Sequence, residues 1–308
     1  MILTVCMSPC IDVNVELDSF NIGKTNIAKS KEISLGGKAI NVAIGAKRLG
    51  AQVYSTGIMY EENGALFEKA LAKEGINYGF VSCEGRVREN YKFIDRKAML
   101  TEVNDVGEPI SKQNAEEVLK RVEYLSKTET DVTVVSGSLP RGLNSDYYGK
   151  LVGAISQNSL RIIDANGENL LAGLREGVDL VKPNAQELEQ TLGVKLKDAE
   201  SLKTACGELI ARGARMVLLS LGEDGAVITD GETFYHCNSV NVAVNSTVGA
   251  GDAMVAAVAT RIRKGSPLPE LLRAGVAAGA ARVSTFERVS FSKKKSEEIY
   301  KKLKVTEF

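Results

Sequence analysis

Asp252 closes the stretch Ser246-Thr247-Val248-Gly249-Ala250-Gly251-Asp252, and an apolar run to Ile262 follows it directly. A turn of small residues feeding a helix leaves the first backbone N–H groups without intrahelical acceptors, a ready seat for an anion. The Asp252 carboxylate arrives at the same place, so a base and an anion cradle meet. That combination suits phosphoryl transfer to a hydroxyl: the amides hold charge developing on the transferred group while the carboxylate takes the hydroxyl proton. A helix start that uses Gly and Asp merely for turning and capping is spelled with the same letters.

Other short stretches have chemistry of the same kind. Gly36-Gly37-Lys38-Ala39-Ile40-Asn41 opens a helix, with glycines that let backbone approach a ligand, a point charge at Lys38 and an amide at Asn41 one turn on. Ser136-Gly137-Ser138-Leu139-Pro140-Arg141-Gly142 follows an apolar strand, the place where open α/β sheets bind ligands. Lys182-Pro183-Asn184-Ala185-Gln186-Glu187 also ends a strand, and its Asn184 and Glu187 have the spacing of a helix capping box. Ser220-Leu221-Gly222-Glu223-Asp224-Gly225 reads either as a tight turn or as amides facing a nucleotide phosphate. In Arg86-Val87-Arg88-Glu89-Asn90, period-two spacing puts Arg88 and Asn90 on one strand face, where the arginine can anchor a substrate phosphate.

Several mechanisms are excluded by what the chain lacks. Its single histidine, His236, sits in a stretch of strand character, so a His-Glu-x-x-His zinc site is impossible and catalysis must rest on carboxylate, lysine or arginine. No Walker loop is present: Gly36-Gly37-Lys38 is followed by Ala39, and the glycine required before Gly23-Lys24-Thr25 falls at Asp18. In the first βα turn Met7-Ser8-Pro9-Cys10 replaces the dinucleotide glycines. Lys plus Arg and Asp plus Glu balance at 39 each, so no net field draws the molecule onto nucleic acid or a membrane. The five cysteines are scattered without a Cys-x-x-Cys pair, which predicts reduced thiols and a cytoplasmic location. The alanine-rich runs at 253–260 and 274–281 fall short of the ~18 residues of a membrane span.

The elements that must position these residues alternate along all 308 residues. Apolar strands are expected at 2–6, 53–57, 132–136, 160–164, 180–182, 216–220 and 226–229. Helices are expected near 39–49, 63–74, 113–126, 145–157, 185–192, 200–212, 250–263 and 268–283, with a solvated lysine-rich helix at the end. The alternation predicts a mostly parallel sheet with helices on both faces in one domain, 1–308. Residues 13–35 and 77–108 break the rhythm and are expected to pair as a small second sheet, a lid over the carboxyl ends of the strands.

Taken jointly and in order, these motifs resemble the ribokinase and phosphofructokinase-B family of sugar kinases, in particular the branch that includes 1-phosphofructokinase and tagatose-6-phosphate kinase. The resemblance covers essentially the whole chain. It implies a ribokinase-like three-layer α/β sandwich with a β-sheet lid, ATP and Mg²⁺; the exposed edge of that lid sheet points to a homodimer through it. It further implies that Asp252 is the base and that the amides of Gly249, Ala250 and Gly251 stabilise the γ-phosphoryl group. Asp12, Gly37 and Asn41 would hold sugar hydroxyls, Lys38, Arg88 and Asn90 would bind the substrate's own phosphate, and Ser138 would contact the substrate. Lys182, Ser220, Gly222 and Gly225 would face ATP, and Asn184 and Glu187 would order the metal through water.

The reaction implied is ATP-dependent phosphorylation of a ketohexose monophosphate, fructose 1-phosphate to fructose 1,6-bisphosphate, with tagatose 6-phosphate as the alternative. Two departures stand out: Ser8 takes the place of an asparagine usual in this branch, and Ala39 that of a glycine whose close ligand approach a methyl would crowd. A non-catalytic sugar or nucleotide sensor on the same scaffold, and a nicotinamide-dependent oxidoreductase, are the competing readings.

Overall fold

In a computed structural model the described residues are all but 98, 244, 246 and 286–290. Ser246 of the signature stretch therefore lies outside them. In chain order the first elements are β1 (Ile2–Cys6), β2 (Cys10–Leu17), β3 (Ala28–Gly36), α1 (Lys38–Arg48), β4 (Val53–Tyr60) and α2 (Ala65–Lys73). Then come β5 (Asn77–Tyr78), β6 (Val81–Cys83), β7 (Arg88–Ile94), β8 (Leu100–Asn104), α3 (Lys112–Lys127), β9 (Val132–Ser136) and α4 (Ser145–Gly153). The middle continues with β10 (Leu160–Asp164), α5 (Gly167–Leu174), β11 (Leu180–Val181), α6 (Ala185–Leu192), α7 (Ala199–Ala211), β12 (Val217–Ser220), β13 (Ala226–Thr229) and β14 (Phe234–Cys237). The chain ends with α8 (Ala250–Ile262), α9 (Leu268–Val283), α10 (Lys293–Tyr300) and β15 (Val305–Glu307).

The large sheet runs β15-β14-β13-β12-β11-β10-β9-β1-β4-β5, with β6 also pairing β4. From β12 to β4 every pairing is parallel, and β13, β14 and β15 add on antiparallel. β1 and β9 are buried at every position, as strands covered by helices on both faces must be. The helices form two layers: α1, α8, α9 and α10 pack on one another, and α3, α4, α5 and α6 do so separately. α8 is buried from Asp252 to Thr260 rather than along one apolar stripe, because it is enclosed between α1 and α9.

The small sheet runs β3-β2-β7-β8. Its first strand starts at Cys10, earlier than expected, and residues 77–83 pair with β4 in place of joining it. Val81 and Cys83 are buried, so β6 gains more by covering the core than by standing in an exposed sheet. Cross-strand neighbours share a face, so one face has Asp12, Ser34, Asn90 and Asn104, and the other Val13, Ile33, Tyr91 and Val103.

Element types were legible; some boundaries and short pieces were not. The helix expected at 145–157 stops at Gly153, and α5 and β15 had no strong periodicity to announce them. α10 forms at the lysine-rich end but is only partly solvated, since Ser296 and Ile299 are buried in its contact with α9. His236 is an ordinary strand residue opposite Val227, its Nε2 3.0 Å from the Asp224 carbonyl. All five cysteines are buried and unpaired. Among the described residues no helix is long and apolar enough to cross a membrane.

Candidate active site

Five adjacent parallel strands, β1, β9, β10, β11 and β12, end at one rim. At or just past those ends lie Ser8, Ser138, Asp164, Lys182 and Ser220, all lining one cleft of about 1330 Å³. Open α/β sheets place ligands at this edge. Pockets for one drug-sized ligand run to ~300–1,000 Å³, so this cleft is larger than one such ligand needs. Every residue assigned a site role from sequence lines it, from Asp12 to Asp252.

α8 starts at the cleft wall. Its N-cap, Gly249, adopts a left-handed conformation, φ 81°, and no described side chain caps the helix. Ala250, Gly251 and Asp252 form the first turn, whose N–H groups have no intrahelical acceptor. A Cβ on residue 251 would lie 3.1 Å from the Lys182 ammonium, so glycine there lets that cation lie against the helix start. A positive dipole end and a buried ammonium thus meet where phosphoryl charge would develop.

Asp252 is 6% exposed, and its Oδ2 accepts a hydrogen bond from Asn41 Nδ2 at 2.7 Å. Burial pushes its pKa up to about 6, and the nearby Asp164 carboxylate adds to the rise. The Asn41 bond and the Lys38 and Lys182 ammonium groups oppose it. A carboxylate poised near neutrality is what a general base needs at physiological pH.

Asp164 organises the cations. Its Oδ1 lies 3.2 Å from Lys38 Nζ and 3.3 Å from Lys182 Nζ, while Oδ2 accepts from Ser136 Oγ at 3.0 Å. Burial alone would raise this carboxyl, but Lys182 and Lys38 hold it below its ordinary value. Lys38 is raised in turn: burial would lower it, and Asp164 and Glu187 prevail, the latter at 3.4 Å. Asp164 was missed as a site residue from sequence. Its signal was an acidic residue closing the apolar strand Leu160–Asp164, at the rim where ligands bind.

At the opposite end, β2 and β7 of the small sheet bring Asp12 beside Asn90, whose Nδ2 donates to Asp12 Oδ1 at 3.4 Å. Arg88 Nη1 donates to Asn90 Oδ1 at 3.3 Å and to the Asp105 carbonyl at 3.2 Å. Lys92, a second residue passed over, lies 3.3 Å from Asp12 Oδ1. Period-two spacing from Asn90 was its signal.

The capping box foreseen at α6 forms: Asn184 Oδ1 accepts from Glu187 N, and Glu187 Oε2 accepts from Asn184 N. Both residues still line the cleft. The turn after β12 also forms, and it commits the Gly225 N–H to the Gly222 carbonyl at 3.2 Å. Ala39 is fully buried in the core and absent from the cleft wall, so its methyl packs among apolar side chains and does not crowd a ligand. Ser8, the other departure, does face the cleft.

A buried carboxylate at a helix start, cations gathered on a buried aspartate and a large cleft in front of them form an arrangement suited to phosphoryl transfer. Residues 1–294 match the pfkB family carbohydrate kinase model. A tagatose-6-phosphate kinase of Staphylococcus epidermidis is 33% identical over 311 residues, covering 100% of each chain. A 1-phosphofructokinase of Bacillus subtilis is 32% identical over 282 residues, 91% of this chain and 92% of the relative. The solved structure of phosphofructokinase-2 from Escherichia coli superposes with a TM-score of 0.89 at 27% identity, covering 98% of this chain and 97% of that one.

The chain belongs to the pfkB family of carbohydrate kinases. It is accordingly a phosphotransferase with a sugar hydroxyl as acceptor, and the sensor and oxidoreductase readings fall away.

Proposed function

We propose that this chain transfers the γ-phosphoryl group of ATP to a ketohexose monophosphate, with fructose 1-phosphate giving fructose 1,6-bisphosphate and tagatose 6-phosphate as the second candidate. The observation that carries this reading is the buried Asp252 at the start of α8, with the pKa of its carboxyl near 6, facing a cleft walled by Arg88 and Asn90. Both sugars fit in principle, because a furanose ring presents either terminal carbon to the base while the other bears the phosphate.

In the proposed mechanism Asp252 accepts the proton of the acceptor hydroxyl as the oxygen attacks. Asn41 fixes the carboxylate's orientation through its 2.7 Å bond. The amides of Gly249, Ala250 and Gly251, with Lys182 against them, stabilise the transferred group. Asp12, Gly37 and Asn41 hold sugar hydroxyls, and Ser138, at the end of β9, contacts the same substrate. The turn carrying Ser220, Gly222 and Gly225 borders the nucleotide phosphates. Closure of the small sheet over the cleft keeps out water, the competing acceptor.

The donor set fits Mg²⁺. Hard carboxylate and amide oxygens of Glu187 and Asn184 line the cleft, and the capping box already engages them, which suits contact with an ion through water. An ion that keeps its waters and takes further ligands from phosphates is held by such a sparse set. Asn184 and Glu187 would hold it through water, where it would supply neutralisation of phosphate charge.

Exposed Ile33 and Val103 on the apolar face of the small sheet support a homodimer through that sheet, and the unpaired cysteines suit a cytoplasmic location. A coupled ADP-release assay with fructose 1-phosphate, tagatose 6-phosphate and fructose 6-phosphate tests the reaction. The expected result is the highest kcat/KM with fructose 1-phosphate. Absence of ADP release with all three overturns the proposal.

A further inference from the structure

We propose that Lys92 is a specificity-determining residue, the second cation that binds the phosphate already on the sugar. This rests on the ketohexose-monophosphate reading above.

The alternation of β7 places Arg88, Asn90 and Lys92 on the same face, and all three line the cleft. The Lys92 side chain is 13% exposed, its ammonium held 3.3 Å from Asp12 Oδ1, the oxygen that also accepts from Asn90. Lys38, the other lysine facing the cleft from the sugar side, has its charge engaged by Asp164 at 3.2 Å and Glu187 at 3.4 Å. Its ammonium is thus drawn toward β10 and α6, away from the small sheet.

Charge counting decides the rest. A phosphate monoester carries about −1.5 to −2 near neutrality. At the small-sheet end of the cleft Arg88 supplies one positive charge and Asp12 one negative, so without Lys92 a bound dianion would face no net compensation. With Lys92 the wall carries a net +1, and an anion in a partly buried site gains most from such a balance. Arg88 has a buried Nε with no hydrogen-bond partner, so the guanidinium keeps donor capacity for the same phosphate. On binding, Lys92 turns from Asp12 to the phosphate and leaves the Asp12 carboxylate to accept from sugar hydroxyls.

Steady-state kinetics of wild type, Lys92→Met and Lys92→Arg with the preferred sugar phosphate test this. A contact made equally in the ground and transition states raises KM and leaves kcat alone when removed. Lys92→Met is therefore expected to raise KM for the sugar phosphate about 10- to 100-fold, with kcat and the KM for ATP within about threefold of wild type. Lys92→Arg, which keeps the charge, is expected to restore most of the affinity. An unchanged KM overturns the proposal. So does a fall in kcat without a rise in KM, or a defect in Lys92→Met that arginine does not relieve. Wild type inert toward every ketohexose monophosphate would instead sink the underlying substrate reading.

Discussion

Asn41 Nδ2 and Asp252 Oδ2 are 2.7 Å apart, so a residue in the first turn of α1 holds the carboxylate that starts α8. The two helices pack directly against each other. The distance between the Asn41 amide and the Asp252 carboxylate is therefore set by helix packing. The Asn41 Oδ1 atom is buried without a hydrogen-bond partner, which leaves it to accept from a substrate hydroxyl.

Replacing Asn41 by Leu removes a donor that holds the Asp252 pKa down. The acidic limb of kcat, expected near pH 6 in wild type, moves to higher pH, so the variant loses more activity at pH 6 than at pH 8. A pH–rate profile checks this, and a limb that does not move shows that the bond has no bearing on the base.

Asp252→Asn is expected to lower kcat by about 10²–10⁴, the usual worth of a positioned base, while making the fold more stable at pH 8. The native carboxyl titrates near 6 against an ordinary 3.8, so the folded state binds more protons across that window. Its stability therefore falls as pH rises from about 4 to 6, and the cost, on the order of 3 kcal/mol, is fully present above 6. The substitution removes that cost at pH 8 and gains nothing below pH 4. Thermal melts of both proteins across this range make the comparison.

Asp164→Asn leaves the buried Lys182 without its carboxylate partner, while the part-exposed Lys38 keeps Glu187. Uncompensated buried charge is expected to cost about 3–5 kcal/mol in chemical denaturation. Asp164 also raises the Asp252 pKa, so the acidic limb of the variant moves to lower pH, opposite to Asn41→Leu. Limbs that moved in the same direction would contradict the electrostatic account of this site.

Gly222 and Gly225 separate turn geometry from packing. Both have positive φ, 65° and 88°, but a Cβ at 225 would sit 2.0 Å from the Cys237 carbonyl, whereas none at 222 meets anything within 4 Å. Gly225→Ala is expected to destabilise the protein severely. Gly222→Ala costs about 1 kcal/mol of backbone strain, and a rise in its KM for ATP measures how closely that turn approaches the nucleotide. Equal stability losses for the two variants would refute the packing argument.

Sequence by itself determined the βα alternation, the order of the motifs and the place of Asp252 at a helix start, because strand and helix periodicities and helix-start chemistry are local properties. The Asn184–Glu187 box could be read from three-residue spacing, and it formed as spelled. Only the tertiary structure decided that Asp164 gathers Lys38 and Lys182, separated from it by 126 and 18 positions, that Lys92 reaches Asp12, and that the Ala39 methyl faces the core. Only packing, likewise, could assign residues 77–83 to the edge of the large sheet. An ion pair, a buried methyl and a strand partner each depend on what another part of the chain places opposite, and no local period encodes that. The shift of Asp252 toward neutrality belongs to the same class: it arises from the burial and charges that the assembled cleft imposes on an otherwise ordinary carboxyl group.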